Sequence, residues 1–190
     1  AIDGDVEHCE CLAGAHNDRI YVVSDTAELW SYDPVTNDFE MVTIARCFGA
    51  ERAFSMSVDH RGVAWILYSD VEDIFTIDVN SPGTCEDPGF IPGRDGFRLF
   101  GMAFASQSAT DACPNLYFAS YSGSGPFSEG PGIGSLGVLD SETVAARRIS
   151  TTDFDGSELA GTGDGRLFAF AGGSPAAIVE YDQNTGEVLD

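Results

Sequence analysis

Asp153-Phe154-Asp155-Gly156-Ser157-Glu158 is the stretch of this sequence best equipped for chemistry. An Asp-x-Asp pair followed by glycine offers hard oxygen ligands around a tight turn, which suits Ca2+. Asp153, Asp155 and Glu158 are therefore the candidate metal ligands, with calcium the candidate cofactor. The stretch is far shorter than an EF-hand loop and lacks that loop's other ligands, so a solvated link is the competing reading. A second acidic turn, Gly163-Asp164-Gly165, lies between two short apolar segments and reads as a hairpin turn needing positive φ.

His8, Cys9, Cys11 and His16 hold zinc-ligand types, but a Cys-x-Cys spacing is unusual for zinc and no second pair accompanies it. Structural disulfides in an oxidising compartment are the better reading of Cys9, Cys11, Cys47, Cys85 and Cys113. Their odd number leaves one thiol free or joined to another chain. Nucleophilic catalysis needs a nucleophile beside a positioned base, and the three histidines, His8, His16 and His60, supply no such constellation. Gly123-x-Gly125 and Gly132-x-Gly134 lie in a Gly, Ser and Pro-rich stretch and not between a strand and a helix, so no phosphate loop is expected.

The elements that must position these residues are repeated units. Four apolar runs end in aspartate: Trp30-Ser31-Tyr32-Asp33, Phe75-Thr76-Ile77-Asp78, Gly137-Val138-Leu139-Asp140 and Val179-Glu180-Tyr181-Asp182. A period of about 45 residues built of short strands indicates a β-propeller or a related array. Each unit reads as four antiparallel strands, a to d from the inside out. Strand a carries small residues, strand b an aromatic (Tyr21, Trp65, Tyr117, Phe168), strand c the aspartate, and strand d varies most. The aspartates begin the c–d turns, where their carboxylates accept backbone hydrogen bonds, which makes them turn residues and not catalysts.

The expected fold is all-β, a single propeller domain over residues 1–190 with blades at about 9–46, 52–92, 97–150 and 156–190. The interval from strand-a apolar residue to strand-b aromatic is nine in the first, second and fourth units and 15 in the third, from Met102 to Tyr117. The third unit is therefore expected to carry two inserted loops, 106–114 and 122–135. Inserts commonly fall on a binding face. The second insert shares a face with residues 86–98 and 153–156, so Arg94, Arg98, Phe127 and Glu129 form a candidate binding rim. Four units either close into a small ring or form part of a larger one, and an open arc would present large apolar faces. Cys47 follows the outer strand of the first unit and Cys85 lies near that of the second, a geometrically reasonable disulfide. Cys113 with Cys9 or Cys11 is a weaker pairing.

Thirty-one acidic residues face nine basic ones, all arginine, for a net charge of −22. Such a surface repels nucleic-acid phosphates and anionic lipid heads and favours cations or basic partners. No run approaches the roughly 20 apolar residues of a membrane-spanning helix. A start at Ala1 matches a chain matured by cleavage at a small residue, so a secreted, periplasmic or cell-surface location is expected.

Phe54-Ser55-Met56-Ser57-Val58-Asp59, Gly62-Val63-Ala64-Trp65-Ile66-Leu67-Tyr68, the run Phe97 to Phe104 and the run Glu158 to Phe168 together resemble a family of exported propeller proteins frequent in myxobacteria and their relatives. The resemblance covers most of the chain and extends to cysteines near positions 11, 47 and 85. It implies a propeller fold and export, and it implies no activity. Members of that family continue past the position matching Asp190, which implies a fragment or a processed chain.

The leading expectation is a non-enzymatic binding or scaffold module in a surface or extracellular assembly, with a protein partner or self-association. The alternative is a calcium-dependent hydrolase or lyase with an ion in the axial channel. That would require carboxylate, Asn or His side chains converging at strand-a ends, where Leu, Met, Ala, Gly and Ser dominate. Carbohydrate is a further partner class, although a lectin would repeat its binding motif in every unit and no such repeat is present.

Overall fold

The computed structural model describes residues 18–123, 128–140, 143–173 and 175–189. They form four antiparallel sheets, each a simple meander. Sheet one contains β1 (Ile20–Val23), β2 (Glu28–Asp33) and β3 (Asp38–Ile44). Sheet two contains β4 (Ala53–Val58), β5 (Val63–Tyr68), β6 (Asp73–Asp78) and the short β7 (Cys85–Glu86). Sheet three is built of β8 (Leu99–Ser108), β9 (Asp111–Tyr121), β10 (Ser128–Asp140) and β11 (Ala145–Asp155). Sheet four has β12 (Glu158–Gly161), β13 (Leu167–Ala171) and β14 (Ala177–Tyr181), with an outer bridge from Tyr181 to Val188. The strand-a segment of the first unit, His8, Cys9, Cys11 and His16, and Phe127 lie outside the described residues.

Alternating side chains give each sheet two faces, and three apolar layers fill the gaps between consecutive sheets. Leu29 and Tyr21 meet Ala64, Ile66 and Phe75 between sheets one and two. Trp65 and Leu67 meet Phe100, Leu116 and Phe118 between sheets two and three. Tyr117 and Val138 meet Leu167, Val179 and Tyr181 between sheets three and four. Each buried Leu- or Phe-sized side chain contributes about 1.5–3 kcal/mol.

The third unit departs from the expected loops. Much of its two inserts is strand among the described residues: β8 and β9 continue outward to Ser108 and Asp111, and β10 begins at Ser128. Glycine at 134 reflects close strand contact, since a Cβ there would lie 1.8 Å from the Phe154 carbonyl oxygen. β11 likewise runs to Asp155, so Asp153 and Asp155 belong to a strand and not to a solvated link. The 163–165 segment is the expected turn, with Gly165 at φ +84° and the Thr162 amide donating to the Arg166 carbonyl across it at 3.0 Å.

Cys47 and Cys85 form a disulfide between the ends of sheets one and two, with Cα atoms 5.5 Å apart. It fits an oxidising compartment. Cys113 is also disulfide-bonded, to a partner outside the described residues. No helix among the described residues is long and apolar enough to cross a membrane.

Candidate functional site

The inner strands meet through small polar side chains. An edge strand exposes unpaired amides, and β8 has its own answered by its neighbours. The Met102 amide donates to Ser55 Oγ at 3.1 Å, the Phe104 amide to Ser57 Oγ at 2.9 Å, and the Ser106 amide to the Thr162 carbonyl at 3.2 Å. Ser55 Oγ in turn donates to Glu158 Oε2 at 3.1 Å, which ties β4 to β12 across β8. Close approach needs glycine at two points: a Cβ at Gly101 would sit 2.2 Å from the Ser157 carbonyl oxygen, and one at Gly161 would sit 2.1 Å from that of Phe104. Glu158 keeps solvent access. Crowding by protein around its carboxyl nevertheless raises its pKa, against the lowering effect of the Ser55 hydrogen bond.

The candidate metal ligands are not brought together. Asp155 is buried and serves as a clamp: its carboxylate accepts Ser120 Oγ at 3.1 Å, the Ser122 amide at 3.0 Å and Ser122 Oγ at 2.7 Å. Asp153 is exposed and accepts the Gly132 amide at 3.0 Å, within the β10–β11 hairpin. Glu158 turns to Ser55 instead. Among the described residues no three His, Cys, Asp or Glu side chains are grouped as a metal site would require.

The rim residues are dispersed as well. Arg98 is paired with Glu72 at the β5–β6 turn. Arg94 opens a short 3-10 turn, Arg94–Gly96, and is exposed. That segment is anchored by Phe97, buried against Phe100 and Phe118, and by Arg148, which donates to the Asp95 carbonyl at 2.8 Å. Glu129 is exposed on β10, opposite Phe154 of β11.

The strand-ending aspartates do what turn residues do. Asp33 accepts the Val35 amide, Asp78 that of Asn80, Asp140 that of Thr143, and Asp182 those of Asn184 and Thr185, at 2.8 to 3.0 Å. These backbone bonds hold the carboxyls of Asp33 and Asp182 below the usual range.

The surfaces that sequence reasoning left without residues are the two ends of the sheet stack. In β1–β3 the register places Ile20, Tyr32 and Phe39 in one row and Val22, Trp30 and Met41 in the next. These six share one face. Ile20 is 53% exposed and Val22 43%, whereas their counterparts on strand b of the next three sheets are 0% exposed: Ala64 and Ile66, Leu116 and Phe118, Leu167 and Ala169. At the other end, Phe170 pairs with Ile178 and they are 53% and 71% exposed. The residues matching Phe170 in sheets two and three, Leu67 and Ala119, are buried. The repeated aromatic tells the same story: Tyr21, Trp65 and Tyr117 each pack toward the following sheet, while Phe168 is covered by the Arg166 guanidinium, 4.7 Å from its ring centre. Strand-b alignment in the sequence identifies the matching positions but not which of them lack a neighbouring sheet.

No protein-family model matches the chain, and no curated protein matches it. Solved structures do. A Kuenenia stuttgartiensis hydrazine synthase aligns over 91% of this chain and 45% of its own, at 15% identity and a TM-score of 0.50. A streptogramin B lyase aligns over 90% of this chain and 50% of its own, at 14% identity and a TM-score of 0.52. The fold is propeller-like. The chain spans about half the length of the propeller structures it matches. Likeness at this level of identity concerns the fold alone, because propellers host many unrelated chemistries.

Proposed function

We propose that the protein is an exported, non-enzymatic scaffold of four propeller blades, one per sheet, that contributes to a surface or extracellular assembly through a protein partner or another copy of itself. The observation that carries this reading is the pair of apolar end faces, where residues exposed at the ends match residues fully buried inside the stack. Contiguous exposed apolar surface marks an interaction site. In a chain of net charge −22 an uncharged grid such as that on sheet one stands apart from its surroundings. The disulfide supports an oxidising destination. The acidic side chains lend the reading further support, since Asp155 and the four strand-ending aspartates are occupied in holding backbone and hydroxyl groups.

Metal analysis of the purified protein, with melting curves in calcium and in chelator, tests this against the calcium-dependent hydrolase or lyase. A scaffold is expected to hold no stoichiometric metal and to melt identically in both. Bound calcium with a chelator-sensitive melting temperature would overturn the reading.

A further inference from the structure

We infer that the open face of sheet four in one copy of the chain packs on the open face of sheet one in a second copy, and that two copies associate head to tail through this junction. The inference rests on the scaffold reading and names its partner. Two observations lead to it.

The first is positional. Each internal junction joins the face bearing the strand-b aromatic to the following sheet's face bearing the residues one before and one after it. Trp65 of sheet two thus meets the side of sheet three that carries Leu116 and Phe118. Sheet four offers the first half of such a junction, with Phe168, Phe170 and Ile178. Sheet one offers the second half, with Ile20, Val22 and Trp30. The chain therefore carries both complementary halves and buries neither among its described residues.

The second is charge. The six-residue grid on sheet one contains no ionisable group other than Tyr32, although 31 of 190 residues are acidic. On sheet four the Arg166 guanidinium is paired with Glu180 beside Phe168, and Glu158, the register partner of Phe170, accepts a hydrogen bond from Ser55. An acidic partner surface fits neither face, whereas the two faces fit each other. Heterologous contacts of this kind close into a ring when the rotation permits.

Two like-charged copies repel at long range, and salt screens that repulsion. Association is therefore expected to strengthen as salt rises, opposite to a junction held by ion pairs.

Native mass measurement on the wild type, Val22→Asp, Phe170→Asp and an equimolar mixture of the two variants tests the junction. Both sites are exposed, so each variant is expected to keep the wild-type circular dichroism spectrum and a cooperative unfolding transition, which shows that it folds, while melting below the wild type by the stabilisation that association supplies. The wild type is expected at twice the 20.2 kDa chain mass, and each variant at the single-chain mass. The mixture is expected to restore a two-copy species, because one junction then joins two wild-type faces. A wild type that stays single at every concentration and salt would overturn the inference. So would loss of pairing in Val22→Asp but not in Phe170→Asp, which would mean that sheet one pairs with itself, or growth beyond two copies, which would exclude closure. Bound calcium would sink the scaffold reading without altering the mass, so the two failures are distinguishable.

Discussion

Ser55 and Glu158, 103 positions apart in sequence, are joined by a hydrogen bond of 3.1 Å between Oγ and Oε2. The same hydroxyl accepts the Met102 amide at 3.1 Å. One buried serine thus fastens the inner strands of sheets two, three and four, which would otherwise leave edge amides unpaired.

Replacing that serine removes a donor and an acceptor together. Ser55→Ala leaves the Met102 amide without its partner and is expected to cost about 1–3 kcal/mol, the penalty for a buried polar group left unsatisfied. Urea unfolding with an unchanged slope would read this as a loss of stability.

Glu158 sets a pH dependence. Its carboxyl is raised above the ordinary glutamate value, chiefly by desolvation. The folded state therefore holds this proton more tightly than the unfolded chain does. Below the unfolded pKa the group has no effect on stability, and stability falls as pH rises toward and through the folded pKa. Glu158→Gln keeps an acceptor for Ser55 and is expected to melt higher than the wild type at neutral pH, with the two converging in acid. Melting temperatures across the acid range check this.

The Cys47–Cys85 disulfide closes a separation of 38 residues, for which chain entropy gives about 4 kcal/mol. Because Cys113 is also disulfide-bonded, reduction would break more than one bridge, and Cys85→Ser is the cleaner test. It is expected to lower stability by most of that amount in chemical unfolding. Folding should survive, because Cys47 is buried beside Tyr68 and behaves there as a small apolar residue.

Asp155 holds the end of β11 to the end of β9 through Ser120 and Ser122. Asp155→Ala removes a shared acceptor and is expected to cost about 1–3 kcal/mol for each buried donor left unmatched. A calcium ligand would behave differently, since its loss would erase a calcium effect on melting. Comparing the variant with the wild type, with and without calcium, separates the two roles.

The repeat legible in the sequence corresponds to real positions. Asp33, Asp78, Asp140 and Asp182 end their strands and accept turn amides, because an aspartate one residue before a tight turn has few other places to put its oxygens. The Cys47–Cys85 pair followed from adjacent outer strands. The inserts misled because glycine reads as loop, whereas Gly134 is demanded by the approach of the Phe154 carbonyl. Asp-x-Asp-Gly is ambiguous for a related reason: ligand types are also hydrogen-bond acceptors, and Ser120 and Ser122 lie too far off in sequence to reveal the clamp. The end faces were hidden because β1 and β13 alternate like interior strands, and alternation does not say which face lacks a neighbour.

Trp30 gives the most direct measurement of the central claim. The chain has two tryptophans; Trp65 is buried between sheets two and three, and Trp30 is half-buried on the open face of sheet one. In a Trp65→Phe variant the emission therefore reports that face alone. A second copy seated there is expected to shift Trp30 emission to the blue and to reduce acrylamide quenching as protein concentration and salt increase. Emission and quenching that stay constant across both would contradict the junction.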